Sequence, residues 1–331
     1  MKIKISTKEI AEICGVSRGT VDRALNNRPG INAATKEKIL NVARQYGYRP
    51  HYVARSLVKG KTMSIGLVIF DINNRIFAQL VNAIEARARE LGYFVYLAFT
   101  QKDSAAEMDC IAQLTDRRVD GIILLPVNQG KPFEQYLAKL EVPVVTFANK
   151  LSDRFPFVWI DDRQAVKDAI RHIASKGYEK IIYVSPPLAN DSKSVNLHSP
   201  LQRYAGVQQA CKDYPNIELT VVKEKQYLQA VWDVLNDTSQ KQAIFCNSDI
   251  YAIDIIHFLR EKNFSVPGQT GVMGFDNIDL LSYITPALTT IDYSVREIGR
   301  TIVDRLVALI DGKPAPPETF LHHRIVERAS L

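Results

Sequence analysis

Apolar residues recur at helical spacing through Ile10, Ala11 and Ile13, stop at Cys14-Gly15-Val16-Ser17, and resume through Val21, Ala24 and Leu25. Two short amphipathic segments joined by a Gly-containing turn predict a helix-turn-helix, the unit that places its second helix in a DNA major groove. The flanking polar residues fit this reading. Ser6 and Glu9 form a capping-box signature at the first helix, and Ser17 suits the N-cap of the second. Asn32 caps a third helix, whose Ile39, Leu40, Val42 and Ala43 cover the first two; Gly47 ends it and Arg49-Pro50 prevents its continuation. Three short helices make a small core, so this head leans on DNA or on its neighbours for order.

From Ser64 onward buried strands alternate with amphipathic helices. The pattern predicts a strand over Ile65 to Phe70, a helix over Ala78 to Leu91 stopped by Gly92, and a strand over Phe94 to Phe99. Ser104 and Glu107 then open another helix, and strands follow near Gly121 to Leu125 and Val142 to Phe147. A second series runs through helix Arg163 to Ser175, strand Lys180 to Ser185, helix Leu201 to Lys212, strand Glu218 to Val222, helix Gln226 to Leu235, strand Ala243 to Cys246, helix Tyr251 to Arg260 and strand Gly271 to Gly274. Such alternation implies parallel sheets with helices on both faces. Two successive series imply two similar α/β subdomains with a cleft between them. Ligands of such sheets sit beyond the carboxyl ends of the strands. The pattern places Asp71, Ile76, Phe77, Asp161, Arg203, Ser248, Asp249 and Asp276 there. Structural alternatives exist: Asp161, and Ser248 or Asp249, as helix caps, and Arg203 and Asp276 paired with each other.

Charge separates the two parts. Residues 1–61 hold 13 Lys or Arg against 4 Asp or Glu, a net of +9, within a chain whose total is +6; the remainder is therefore −3. A basic head on a slightly acidic body is the footprint of phosphate contact by the head alone. No apolar run reaches the roughly 18 residues of a membrane span, and the start of the chain lacks an export signal. Cys14, Cys110, Cys211 and Cys246 lie far apart among apolar neighbours and read as buried, reduced thiols. There is no Gly-rich phosphate loop, no His-Glu-x-x-His, no Gly-x-Ser-x-Gly and no metal-ligand spacing, so neither an enzyme nor a cofactor is expected.

On the second helix Ser17, Arg18, Gly19, Thr20 and Asp22 fall near the N-terminal outer face, with Arg23 and Asn26 on the next turns. Arginine here suits bidentate recognition of guanine, worth about 1–3 kcal/mol of discrimination per pair; the alternative is general phosphate contact. Asn26 and Thr35 suit hydrogen bonds to phosphate, which set register without reading sequence. Asp22 faces phosphate repulsion, but it can accept from cytosine N4 or brace Arg18 one turn back.

The run Ile10 to Asn26, followed by Thr35, Gly47-Tyr48-Arg49-Pro50, Ala54-Arg55-Ser56-Leu57 and Ile65-Gly66-Leu67-Val68, resembles the LacI/GalR family of bacterial transcription regulators. The likeness continues through Arg118-Val119-Asp120-Gly121-Ile122-Ile123, Val142-Pro143-Val144-Val145, Gly274-Phe275-Asp276-Asn277 and Thr285-Pro286-Ala287-Leu288-Thr289-Thr290-Ile291, and ends at Ile325-Val326-Glu327-Arg328-Ala329-Ser330, so it spans nearly the whole chain. It implies a helix-turn-helix head and hinge helix over residues 1–60. Residues 61–331 would form a core of periplasmic-binding-protein type I fold, with chain crossings near Asp161, Asp292 and the last strand.

Arg18, Gly19 and Arg23 would choose the operator, although Gly19 brings no side chain and Asp22 stands where the family usually has Ser. Residues 52–60 would fold on DNA, with Ala54 beside a wedge, Leu57, that unstacks a base step in the minor groove; the alternative is a plain linker with Leu57 resting on the body. Arg203 and Asp276 would clamp an effector, joined by Asp161, with Phe77 on the opposite wall, and carboxylates facing an Arg suit the hydroxyls of a sugar. Two departures bear on the effector: the long polar loop from Pro186 to Pro200, and Lys223-Glu224-Lys225, with Tyr227 nearby, where relatives carry an aromatic. A lysine there would admit an acidic or phosphorylated sugar. The resemblance thus implies a cytoplasmic homodimer that represses carbohydrate-related genes from a palindromic operator under small-molecule control. The alternative is a sugar-binding protein of the transport type. The end of the chain, Arg324 to Leu331, shows no further heptad segment, so no added tetramer-forming helix is expected.

Overall fold

The computed structural model describes residues 5–48, 60–185, 187, 195–235 and 240–331. The chain divides into two compact units, Met1–Thr62 and Met63–Leu331. In the first, α1 (Thr7–Cys14), α2 (Arg18–Leu25) and α3 (Ala33–Gln45) pack on one another through Ile10, Ala11, Cys14, Val21, Ala24, Ile39 and Ala43. The capping box closes as the sequence predicts: the Ser6 backbone N–H donates to Glu9 Oε2 at 2.7 Å and the Glu9 N–H to Ser6 Oγ at 3.3 Å. The turn after α1 requires glycine, because Gly15 adopts φ +68° at the C-cap. Ser17 caps α2, accepting from the Thr20 N–H, and Asn32 caps α3, accepting from the Ala34 N–H. Ile13 departs from the expected core face and is 46% exposed.

The second unit holds two six-stranded sheets. The first contains β1 (Ser64–Ile69), β2 (Phe94–Phe99), β3 (Gly121–Leu124), β4 (Val144–Phe147), β5 (Phe157–Ile160) and β11 (Glu318–Leu321) in the order β11-β5-β4-β3-β1-β2. All its pairs are parallel. The second contains β6 (Lys180–Val184), β7 (Glu218–Val222), β8 (Gln242–Cys246), β9 (Gly271–Phe275), β10 (Thr289–Tyr293) and β12 (His323–Val326) in the order β12-β10-β9-β8-β6-β7. There β12 is antiparallel and the other pairs are parallel. The chain crosses between sheets after β5, after β10 and at His322.

Helices α4 (Arg75–Glu90), α5 (Ser104–Asp116) and α6 (Lys131–Lys139) connect strands of the first sheet. Helix α7 (Asp162–Ser175) follows the first crossing. Helices α8 (His198–Asp213), α9 (Tyr227–Val234) and α10 (Asp249–Glu261) connect strands of the second sheet, and α11 (Val295–Ile310) makes the second crossing. Helix α11 returns to lie on α4, where Gly299 admits Ala83 so closely that an added Cβ would meet the Ala83 Cβ at 2.6 Å. Arg87 on α4 pairs with Asp304 on α11 at 2.7 Å.

Several boundaries differ from the pattern reading. Helix α4 starts at Arg75, not Ala78, because Asn74 Oδ1 accepts from the Ile76 N–H at 3.2 Å and caps it there. Helix α8 starts at His198, whose N–H donates to Asn196 Oδ1 at 3.0 Å. The pattern assigns nothing to α6, β5, β10 and β11, whose four to nine residues are too few for a clear periodicity, nor to the longer α11. All four cysteines are free; Cys14 and Cys246 are buried, whereas Cys110 and Cys211 are half-buried, which corrects the expectation for those two.

Packing of α7 on α8 depends on Gly206, since a Cβ there would lie 2.7 Å from the Arg163 carbonyl oxygen. A backbone atom cannot rotate away, so Gly206→Ala should destabilise the chain by about 1–3 kcal/mol. Denaturant unfolding of the wild type and the variant measures it; equal midpoints would show that the helices separate without cost.

Candidate functional site

Two regions gather the predicted functional residues, one in each unit. In the head, α2 turns Val21 and Ala24 inward and leaves Arg18, Gly19, Asp22, Arg23 and Asn26 exposed on the other face. Ser17 and Thr20 spend their hydroxyls on the helix start, 2.9 Å from each other. Thr35 is half-buried in the first turn of α3. Among the described residues, the guanidinium groups of Arg18 and Arg23 have no hydrogen-bond or ion-pair partner. The bracing of Arg18 by Asp22 is corrected, because the Asp22 carboxylate is engaged by Asn26 Nδ2 at 2.7 Å and by Arg28 Nη1 at 3.2 Å. Both partners lie toward the C-terminal end of α2, away from Arg18. Ala54 and Leu57 lie outside the described residues.

In the body, the carboxyl end of the second sheet is organised around Arg203, which α8 carries on its inner face, 5% exposed. Its Nε donates to Asp162 Oδ1 at 2.8 Å and its Nη1 to the Asn247 carbonyl at 2.5 Å. Nη1 also stands 3.8 Å from Asp276 Oδ1, and the guanidinium lies over the Phe275 ring at 3.5 Å. Asp276 is 3% exposed and accepts a hydrogen bond from the Tyr293 hydroxyl at 2.7 Å. The Tyr183 hydroxyl donates to Asn247 Oδ1 at 2.9 Å. Burial disfavours the charged guanidinium, but Asp162 and Asp276 outweigh it and hold Arg203 above its ordinary value. Asp276 has φ +119°, a strained conformation for a non-glycine residue, held by its N–H donating to the Ile291 carbonyl at 3.0 Å.

The expected place of Asp161 beside Arg203 is taken by Asp162. Asp161 is exposed and caps α7, accepting from the Gln164 N–H at 2.9 Å. It also lines, with Asp162, Phe157, His198 and Gln202, a cavity of about 330 Å³. A signal for Asp162 was present: it continues the buried helical face formed by Ala165, Val166, Ala169 and Ile170. Ser248 is buried at the start of α10 without a capping bond, while Asp249 turns inward and accepts from the Thr290 hydroxyl at 2.6 Å and the Ile278 N–H at 2.9 Å. Tyr227 donates to Asp254 at 2.5 Å and packs edge-on against Tyr251, so its hydroxyl is held by α10. Pattern reading also missed Tyr183, Asn247 and Tyr293, which look like ordinary core positions in sequence.

Ile76 is buried and Phe77 half-buried in the first turn of α4, with Phe77 edge-on to Phe70 at 6.1 Å. Asp71 accepts from the Asn73 N–H at 2.8 Å. Arg75, on α4 beside the first sheet, reaches a residue that follows β9 of the second: its Nε and Nη2 donate to both oxygens of Asp279 at 2.7 and 2.6 Å, three residues beyond Asp276. Elsewhere Asn149 after β4 donates to the Asn196 carbonyl at 2.9 Å and accepts from the Ser199 N–H at 3.2 Å, tying the start of α8 to the first sheet.

The family described as "Bacterial regulatory proteins, lacI family" matches residues 6–51, and "Periplasmic binding protein-like domain" matches residues 170–331. The HTH-type transcriptional regulator RegA of Clostridium acetobutylicum is 34% identical over 350 residues, covering 98% of each chain. The HTH-type transcriptional repressor CytR of Escherichia coli is 26% identical over 320 residues, covering 92% of this chain and 90% of CytR. A solved periplasmic binding protein/LacI transcriptional regulator from Alkaliphilus metalliredigens QYMF, complexed with D-xylulofuranose, superposes with a TM-score of 0.70 at 26% identity over 81% of this chain and 98% of its own. Among the described residues no helix is long and apolar enough to cross a membrane.

The buried carboxylates make stability depend on pH. Burial first, then repulsion from Asp276, pushes Asp249 up to about 8. A carboxyl whose folded value is raised favours the fold below its unfolded value, and that contribution is lost as pH rises toward about 8. Asp249→Asn keeps the hydrogen-bonding shape without the ionisation. Its denaturant midpoint should therefore fall less than that of the wild type between pH 5 and pH 8. Parallel profiles would place the charge elsewhere.

Proposed function

The chain belongs to the lacI family of bacterial regulatory proteins, and from that membership we propose that it is a transcriptional repressor that releases its operator in response to a small effector. The observation that carries the DNA-binding half is the exposed face of α2, where Arg18 and Arg23 stand without partners in a strongly basic head. Arg18 and Arg23 read bases and Thr35 contacts phosphate, whereas the Asn26 amide, expected at phosphate as well, is turned onto Asp22. Repression is in line with CytR, a transcriptional repressor.

The cluster around Arg203 supports an effector site formed with Asp71, Ile76, Phe77, Ser248 and Asp276. The Arg203 charge is already balanced by Asp162 and Asp276, and Lys223 and Lys225 are exposed beyond the strand end. This balance favours an uncharged, hydroxyl-rich ligand of the sugar class over an acidic or phosphorylated one, in keeping with the D-xylulofuranose bound by the solved relative. Effector binding shifts the closure of the cleft, and that shift couples to the head with a free energy of about 1–3 kcal/mol.

Strand β2 supports a homodimer. It is an edge strand on which Phe94, Tyr96, Leu97 and Phe99 are 37–62% exposed, an apolar surface suited to a second copy. A two-fold dimer matches a palindromic operator in the cytoplasm. The chain acts as a regulator and not as an enzyme, as do the relatives above.

Arg18→Ala should relax preference at one base position by about 1–3 kcal/mol, read by selecting duplexes from a randomised library; a uniform loss on all sequences would make Arg18 a phosphate contact. Arg203→Lys keeps the charge between Asp162 and Asp276 but loses the planar fork. It should retain duplex retardation while weakening the response to the effective sugar at least about tenfold. An undiminished response would move the site elsewhere.

A further inference from the structure

Asp22 lies on the exposed face of α2, where a bare carboxylate would be repelled by the DNA backbone. It is not bare. Asn26 Nδ2 donates to Asp22 Oδ1 at 2.7 Å and to the Asp22 carbonyl at 3.1 Å, and Arg28 Nη1 stands 3.2 Å from Oδ2. The backbone brings Arg28 back toward the helix. Its N–H donates to the Arg23 carbonyl at 2.9 Å, and Asn27 turns the chain with φ +53°. Lys36 on α3 donates to the Asn27 side chain and brings a second cation to the same corner.

We propose that Asp22, braced by both N–H groups of the Asn26 amide, is a positioning residue that holds the Arg28 guanidinium as a preformed phosphate clamp at the C-terminal end of α2. This rests on the DNA-binding reading of that helix. Both Asp22 oxygens are occupied by the clamp, which sets Asp22 apart from a reader of cytosine. Arg28 has five N–H donors, of which the ion pair needs one or two, so the others serve phosphate oxygens. An exposed ion pair adds little to folding. Its effect therefore appears in DNA affinity and salt dependence, not in thermal stability.

The test uses the full chain with two probes: a duplex selected by the wild-type protein from a randomised library, and a mixed-sequence duplex of equal length. Asp22→Ser, Asp22→Asn and Arg28→Ala should each weaken binding to both probes by roughly threefold to tenfold, at an unchanged melting temperature. Arg28→Ala should reduce the slope of log affinity against log salt by about 1. The double variant Asp22→Ser with Arg28→Ala should bind no worse than Arg28→Ala alone. Tighter binding by Asp22→Ser, additive losses in the double variant, or a changed base preference on reselection would overturn the clamp while leaving DNA binding intact. Failure of the wild type to retard either duplex would remove the DNA-binding reading and the clamp with it.

Discussion

The second unit is organised around a buried charge. Arg203 is almost wholly removed from water, so its guanidinium must be met by partners, and removing one partner of such a pair costs about 3–5 kcal/mol. The partners come from separate parts of the chain: Asp162 at the start of α7, the Asn247 carbonyl after β8, and Phe275 and Asp276 at the end of β9. Tyr293 at the end of β10 completes the set through Asp276. One side chain thus fixes the relative positions of two helices and three strand ends. Those strand ends are where a doubly wound sheet offers its ligand site. The strained backbone of Asp276 belongs to the same arrangement, because the sheet and Tyr293 hold it in place.

A cluster that satisfies itself internally can respond to a ligand when the surrounding frame has two arrangements of similar energy. Contacts of different strength join the two sheets here. Arg75 and Asp279 make a bidentate pair, largely exposed and so weak by itself. Asn149 and Asn196 make a buried amide pair that anchors the start of the helix bearing Arg203. Aromatic packing of Trp159 on Tyr293, at 5.4 Å between ring centroids, joins β5 of the first sheet to β10 of the second. A ligand that takes up hydrogen bonds of Arg203 or Asp276 therefore acts on groups already linked to contacts between the two sheets.

The head follows a different economy of interactions. Its core is a short set of buried side chains centred on Ile10, Val21 and Ile39, and its helices carry caps at Ser6, Ser17 and Asn32. Because so little of α2 is needed for packing, its outer face is free to carry Arg18 and Arg23 without partners and the Asp22, Asn26 and Arg28 group at its far end. Positive charge is concentrated in this unit and the body is slightly acidic. This division directs polyanion contact to the head.

Most of the elements and their order are legible in local pattern, the exceptions being short strands, α6 and α11. The head helices were legible because capping residues and helical spacing are local properties, and the body was legible because buried strands and amphipathic helices differ in period. Arg203 and Asp276 were legible as polar residues at positions beyond strand ends, and the likeness of the whole chain to a known family agreed with them. Only the tertiary structure decided which groups they meet. Asp161 and Asp162 are adjacent and chemically identical, yet one caps α7 in solvent and the other is buried against Arg203, because successive helical residues point 100° apart and only one faces α8. Asp22 likewise found Arg28 instead of Arg18, because the left-handed turn at Asn27 folds the chain back beside the helix. Local pattern fixes where a side chain starts, whereas its partners depend on how distant segments pack.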